Sequence, residues 1–143
     1  MTTSARQDLR AGCASVLTTY QAANPTLLGK VYDYPPESFA TPCAYVEKTV
    51  NERIEHDASL RRRTLSVNVV IVNKLMSNDQ ATGEQDVLVD GLLDAFTAGY
   101  HAASSSTVLQ PVSVTDTEIT AGDGVRYAAA VIAVEMSIQE GRF

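Results

Sequence analysis

The sequence predicts an α+β fold, a two-layer α/β sandwich in which two helices pack on one face of a mixed, mostly antiparallel sheet of about four to five strands. Residues 61–73 alternate apolar and polar side chains, as a β-strand does. Residues 5–23 and 84–100 repeat apolar side chains at the period of an amphipathic helix. A turn signal at residues 121–124 adds a β-hairpin near the end. We expect residues 1–143 to form one domain.

The first predicted helix has recognisable ends. Ser4 and Gln7 fit a capping box, and the Asn24-Pro25 pair ends the helix because the residue before proline disfavours the α region. Its apolar stripe comprises Leu9, Gly12, Cys13, Val16, Leu17 and Tyr20. Arg6 and Arg10 lie off that stripe, so we expect both to face water or a partner.

Two short extended segments are predicted next, at residues 28–34 and 44–48, separated by a proline-rich excursion over the surface at residues 35–42. A turn at residues 57–59 then favours a hairpin that leads into the long strand. This hairpin is predicted to be a polar arm that projects from the body and contacts a partner. Its contact residues would be Arg53, Glu55, His56, Arg61, Arg62 and Arg63.

The three consecutive arginines of the arm, Arg61 to Arg63, allow two interpretations. They can pair with carboxylates of the preceding strand and turn, at Glu52, Glu55 or Asp57. They can instead contact carboxylates of another protein, or passing DNA. Successive strand residues point to alternating faces, so the three arginines do not form one patch unless the hairpin twists strongly.

The long strand at residues 61–73 has two unequal faces. One face is apolar throughout, whereas the other is polar at first and apolar at its end. The strand at residues 125–139 has the same division, and antiparallel pairing brings the two apolar ends together. This patch needs cover beyond the two helices, and self-association is the simplest source. The predicted subunit contact comprises Val70, Val72, Tyr127, Ala129 and Val131.

The second helix, predicted to follow a loop at residues 73–83, has an acidic side. Asp86, Asp90 and Asp94 repeat every four residues, opposite an apolar stripe. Three carboxylates along a straight helix do not surround an ion, so a solvated face is a better interpretation than a metal site. They can also face an arginine of a neighbouring subunit, and we include them in the predicted contact. A flexible connection is expected at residues 101–107.

The composition gives no support for an enzyme or a nucleic-acid reader. A formal net charge of −6 disfavours dedicated phosphate binding. The spacing of Cys13 and Cys43 fits no metal site, and neither His56 nor His101 belongs to a recognisable acid, base and nucleophile group. We therefore expect no catalytic residue, cofactor or metal. The chain has no signal-peptide pattern and no apolar run of ~18 residues, so we expect a chain made in the cytoplasm, without membrane contact.

Several segments together carry a family resemblance. They are Arg6, Arg10 and Val16-Leu17 in the first helix, Val31-Tyr32, Tyr34-Pro35-Pro36-Glu37-Ser38, Thr41-Pro42-Cys43-Ala44-Tyr45-Val46, Arg62 and Thr64 in the long strand, and Asp86-Val87-Leu88-Val89-Asp90. With these segments, which span most of its length, the chain resembles the tail terminator proteins of long-tailed bacteriophages. These are small head-to-tail joining proteins of the minor tail family.

The resemblance implies a structural virion protein of the tail or neck, assembled in the host cytoplasm. Such a protein forms a ring, expected to be hexameric, that caps the tail tube, ends its polymerisation and offers the surface to which the filled head docks. Its partners would be further copies of itself, the major tail tube protein and a head-completion or connector protein. Genome DNA would pass through the lumen without specific binding, since an acidic wall does not hold phosphates.

Two other functions remain open on the sequence. The first is a head-completion or connector protein of the neck, because such proteins have similar outlines. The second is a ferredoxin-like regulatory domain that binds a small molecule, which the order of strands, helix and hairpin suggests. The ferredoxin-like alternative requires a pocket with converging polar groups, and the sequence indicates none.

Overall fold

The computed structural model describes residues 4–32, 38–74, 79–97 and 109–141. Within these residues the chain forms two helices and a five-stranded sheet, which confirms the α+β prediction. In chain order the elements are α1 (Ala5–Ala23), β1 (Lys30–Tyr32), β2 (Cys43–His56), β3 (Leu60–Lys74), α2 (Asp79–Thr97), β4 (Gln110–Thr120) and β5 (Arg126–Gly141).

The sheet has the order β1-β2-β3-β5-β4, in which β1 runs parallel to β2 and the other neighbours are antiparallel. β3 is the central strand and pairs with β5 over its whole length, from Leu60 opposite Gly141 to Lys74 opposite Tyr127. Val70 lies opposite Val131 and Val72 opposite Ala129. The predicted antiparallel pairing, with the apolar ends together, is therefore confirmed.

The main core lies between the helices and the first face of the sheet. α1 contacts β1, β2 and β3, whereas α2 contacts β3 and β4, so the helices lie side by side over the two halves of the sheet. The alternating apolar residues of β3 all point into this core: Leu65, Val67, Val69 and Ile71. Gly91 allows the helices to approach closely, since a Cβ at this position would lie 2.2 Å from the Tyr20 hydroxyl oxygen.

The predicted boundaries hold for α1 but not for α2 and β2. Ser4 and Gln7 form the predicted capping box, and Asn24 is the C-cap. α2 begins at Asp79, so the loop predicted over residues 73–83 is too long, and residues 75–78 and 98–108 lie outside the described residues. The flexible connection predicted at residues 101–107 falls in that undescribed part.

β2 is one strand where the sequence predicted a short segment followed by a separate hairpin. Its register with β3 shifts between Val46 and Val50, where residues 47–49 form a bulge opposite Asn68, and pairing then continues to His56 opposite Arg61. The predicted arm is thus the far end of the main sheet. It has three strands there, because β5 continues beside β3 to Gly141.

The second face of the sheet carries its own apolar cluster. Phe39, within the predicted proline-rich excursion, lies over the sheet with ring centroids 6.0 Å from Tyr45 and 5.1 Å from Tyr127. The Tyr32 hydroxyl accepts a hydrogen bond from the Ala40 amide at 3.1 Å, next to Phe39. The cluster comprises Phe39, Cys43, Tyr45, Val70, Val72, Tyr127 and Ala129.

This cluster corrects one expectation. Val70 and Val72 are 1% and 0% exposed, Tyr127 is 8% exposed and Ala129 is 2% exposed, whereas Val131 is half-buried. The chain therefore covers most of the predicted apolar patch by itself. The sequence predicted a surface path for the segment that carries Phe39, so this cover was not expected.

We predict that Phe39→Ala opens the second face selectively. A large-to-small change at a buried phenylalanine costs about 3–5 kcal/mol of unfolding free energy, which urea denaturation would measure. Burial raises the pKa of both the Cys13 and the Cys43 thiol to about 12, so neither should react with a thiol reagent in the native wild type.

Cys13 is the internal control for this prediction, since it lies in the main core on the other side of the sheet. In Phe39→Ala we expect Cys43 to become reactive under native conditions while Cys13 stays protected. Equal protection of both thiols in the variant would contradict the role assigned to Phe39.

Candidate interaction surfaces

A network of ion pairs crosses the helix-covered face of the sheet at the arm. Arg63 donates to Glu52 from Nε at 2.6 Å and to Glu140 from Nη1 at 3.3 Å. Arg61 also pairs with Glu140, and Arg6 of α1 donates to Glu52 at 3.3 Å. The network therefore ties the start of α1 to three neighbouring strands. Its side chains are partly shielded, with 9% exposure at Glu52 and 22% at Arg63.

The network shifts the pKa of three of its members. The hydrogen bond from Arg63 lowers the pKa of the Glu52 carboxyl, against the opposing effect of desolvation. The hydrogen bond from Arg61 likewise lowers the pKa of Glu140. The hydrogen bond to Glu52 raises the pKa of Arg63. Glu52, Glu140 and Arg63 therefore stay charged at neutral pH.

Two of the three consecutive arginines are occupied by this network. Arg63 pairs with Glu52, which confirms that part of the intrachain interpretation. Arg61 pairs with Glu140, a residue outside the expected set of Glu52, Glu55 and Asp57. The reason is topological: β5 places Glu140 directly opposite Arg61, and this length of β5 was not anticipated.

The opposite face of the arm is more open. Arg53 pairs with Glu55 at 3.1 Å on the surface, with side chains 73% and 54% exposed. Arg62 is exposed, and within the described residues it makes no ion pair. A shallow depression of about 170 Å³ lies at the tip, and its lining residues are Glu55, His56, Asp57, Leu60, Arg62 and Gln139. Of the predicted arm contacts, Arg53, Glu55, His56 and Arg62 remain available for a partner.

The acidic residues of α2 lie on the surface as predicted. Asp86, Asp90 and Asp94 are exposed, and in the described part of the chain no group of His, Cys, Asp or Glu is arranged to hold a metal ion. Asp94 lies near Tyr20 of α1, where burial and then the charge of Asp94 raise the pKa of the tyrosine hydroxyl. The predicted contact of these aspartates with a neighbouring subunit stays a prediction.

A groove lies along the outer side of α1, at the β1–β2 edge of the sheet. Its volume is about 310 Å³, and its lining residues are Arg10, Ala11, Ala14, Tyr32, Val46 and Lys48. Arg10 donates from Nη1 to the Lys48 carbonyl at 2.7 Å, within the bulge of β2. Arg6 and Arg10 therefore hold α1 to β2 instead of facing only water or a partner, as the sequence had suggested.

Among the described residues, the cysteines and the histidine belong to no group that could hold a metal ion. Cys13 and Cys43 are free and buried, His56 lies in the depression at the tip of the arm, and His101 falls outside the described residues. Neither described helix is long and apolar enough to cross a membrane.

Comparison with known proteins gives one informative result. No family model matches the sequence, and no curated protein matches it. Among solved structures, the chain is similar to one described as "Virion of native gene transfer agent (GTA) particle", with a TM-score of 0.54 and 11% sequence identity. The similarity covers 87% of this chain and 94% of that chain. At this identity, the similarity shows a common fold.

We predict that the ion-pair network makes folding acid-sensitive. Because the pKa of Glu52 is lowered in the folded state, its contribution is complete above the unfolded value of ~4.3 and is lost as pH falls through the folded value. Glu52→Gln should therefore be less stable than wild type at pH 7, and the difference should shrink as pH falls below about 5.

Urea denaturation between pH 3 and pH 7 would measure this difference. Glu55→Gln is the matched control, since it removes a carboxylate from an exposed pair that contributes little. A difference between Glu52→Gln and wild type that does not change with pH would exclude the network as the source.

Proposed function

We propose that this chain is a structural subunit of a phage-like particle. The observation that carries the proposal is the fold shared with a chain of a gene transfer agent virion, over 87% of this chain and 94% of that one. Because the similarity covers nearly the whole of both chains, the two chains have a similar size and overall fold. The described residues offer surfaces for protein contacts, which supports a structural role.

More specifically, we propose a tail terminator that forms a ring, expected to be hexameric, on the end of the tail tube. The ring would stop polymerisation and join the tube to the head, with the tube protein and a head-completion or connector protein as partners. The open face of the arm, with Arg62 and Arg53, is the surface proposed for one of them. Since the formal net charge is −6, DNA would pass through the lumen without being held.

A head-completion or connector protein of the neck is the alternative within the same class. It would differ in which structure the ring caps, the head vertex or the tail tube. Binding to purified tubes and to purified DNA-filled heads would separate the two. Binding to tubes in the absence of heads is expected for a tail terminator.

The first test is the oligomeric state of the wild-type chain. We expect rings in size-exclusion chromatography with light scattering and in negative-stain electron microscopy, either in isolation at high protein concentration or on added tail tubes. Growing tubes should end at a fixed length in the presence of the chain. A chain that stays monomeric alone and with tubes would contradict the proposal.

The second test separates the arm from the fold. Arg62→Glu should weaken binding to tube or head at least about tenfold, because reversing a contact charge places like charges together at the interface. The thermal unfolding temperature should change little, since Arg62 is exposed and makes no ion pair within the described residues. Arg63→Glu is the contrasting variant: it breaks two ion pairs and should lower stability. Unchanged binding by Arg62→Glu would remove the arm from the docking surface.

A further inference from the structure

We infer that copies of this chain associate head to tail, with an acidic edge of one copy seated on a basic groove of the next. The inference rests on the proposed ring and identifies the two surfaces that form its contact. The basic groove is the one beside α1, lined by Arg10, Ala11, Ala14, Tyr32, Val46 and Lys48. The acidic edge consists of Val114 and Asp116 of β4 with Asp86 and Asp90 of α2.

The basic groove combines an apolar floor with cationic groups. Ala11, Ala14 and Val46 form much of the floor, and its 310 Å³ can admit branched apolar side chains. Arg10 uses one of its five N–H donors on the Lys48 carbonyl, which fixes the guanidinium beside the groove and leaves donors for a carboxylate. The groove thus suits an occupant that carries both apolar and acidic side chains.

The acidic edge has that composition. Val114 lies opposite Ile132 and Asp116 opposite Ala130, so both lie on the helix-covered face of the sheet. Yet Val114 is 39% exposed and Asp116 is exposed, so α2 leaves these two positions uncovered. Val112, at the irregularity in β4, is a further exposed valine, at 51%. Apolar and acidic side chains therefore alternate with exposed polar ones along this edge.

α2 adds two carboxylates on the same side. Gly91 faces Tyr20 of α1, and successive helix residues are rotated by about 100°. Asp86 is rotated by about 140° from Gly91 and therefore points away from α1, toward the side where α2 contacts β4, whereas Asp90, rotated by about 100°, points to solvent beside it. Neither makes an ion pair within the described residues. The edge has a surplus of negative charge even though Glu118 of β4 is neutralised by Arg126.

The basic groove is complementary in charge to the acidic edge, whereas neither surface is complementary in charge to a second copy of itself. A groove-to-groove contact would place Arg10 of two copies together, and an edge-to-edge contact would do the same with Asp116. Both surfaces lie on the helix-covered side of the sheet. The groove lies at the β1–β2 edge of the sheet, and the acidic edge lies at β4, the strand at the opposite edge. A contact between unlike surfaces at opposite ends is heterologous, and such contacts close into rings when the rotation between copies allows it.

The test uses two charge-reversal variants. Each should weaken self-association on its own, and the two together should restore it. In Arg10→Glu the groove becomes acidic and meets a native acidic edge, whereas in Asp116→Arg the edge becomes basic and meets a native basic groove. Each variant alone should associate at least about tenfold more weakly than wild type in sedimentation velocity. An equimolar mixture should recover association, because alternating copies join opposite charges at every contact, and the double variant should recover it without a partner.

Two controls keep the result interpretable. Lys74→Glu reverses a charge as Arg10→Glu does but lies at the end of β3, outside both surfaces and outside the arm, and it should self-associate like wild type. Asp116→Arg disturbs no intrachain ion pair of the described residues, so it covers the case in which Arg10→Glu destabilises the fold through loss of the Lys48 contact. Circular dichroism and thermal unfolding would confirm that each variant is folded.

The outcomes separate this inference from the proposed function. A wild-type chain that never self-associates, alone or on tubes, would overturn both. Wild-type association with no effect of either reversal, or weakened association that the mixture does not recover, would overturn the head-to-tail contact and leave the structural role intact. Normal self-association of both variants with loss of tube or head binding would assign the groove to another protein and would also overturn the contact.

Discussion

The fold depends on a central strand that is buried on both faces at one end. β3 has neighbours on both sides, and near Ile71 and Val72 its side chains are completely buried whichever way they point. A strand in that position needs two separate covers. The helices supply the first, and the aromatic ring of Phe39 supplies much of the second. The chain meets both needs itself, so its apolar surplus does not require another subunit.

The other end of the same strand is organised by charge. Alternating residues of β3 pass from an apolar core to arginines, and the carboxylates that neutralise them come from both neighbouring strands. Arg6 connects this end to α1, so the helix is anchored through its packed stripe and through an ion pair at its first turn. The arm is therefore a stiff continuation of the sheet, and its charges divide by face. One face is satisfied internally, and the opposite face, with Arg62, is open to a partner.

Local sequence patterns predicted the architecture correctly. The predictions failed where long-range contacts determine the structure. The capping box at Ser4, the hairpin turn at residues 121–124 and the antiparallel register of β3 with β5 were all readable, because each follows from periodicity or turn chemistry. The packing of Phe39 over the second face of the sheet could not be predicted from the sequence. It depends on how an irregular segment folds back over the sheet, and no periodic pattern encodes that path. The pairing of Arg61 with Glu140 was missed for a different reason, since β5 continues past residue 139, where the sequence predicted its end.

The sheet separates two apolar clusters that have no side chains in common. Cys13 lies in one cluster and Cys43 in the other, and the backbone of β3 and β5 lies between them. Substitutions on one face therefore have little direct effect on packing on the other. Because the two faces are packed separately, a substitution that adapts one face to a new neighbour leaves the packing of the other in place.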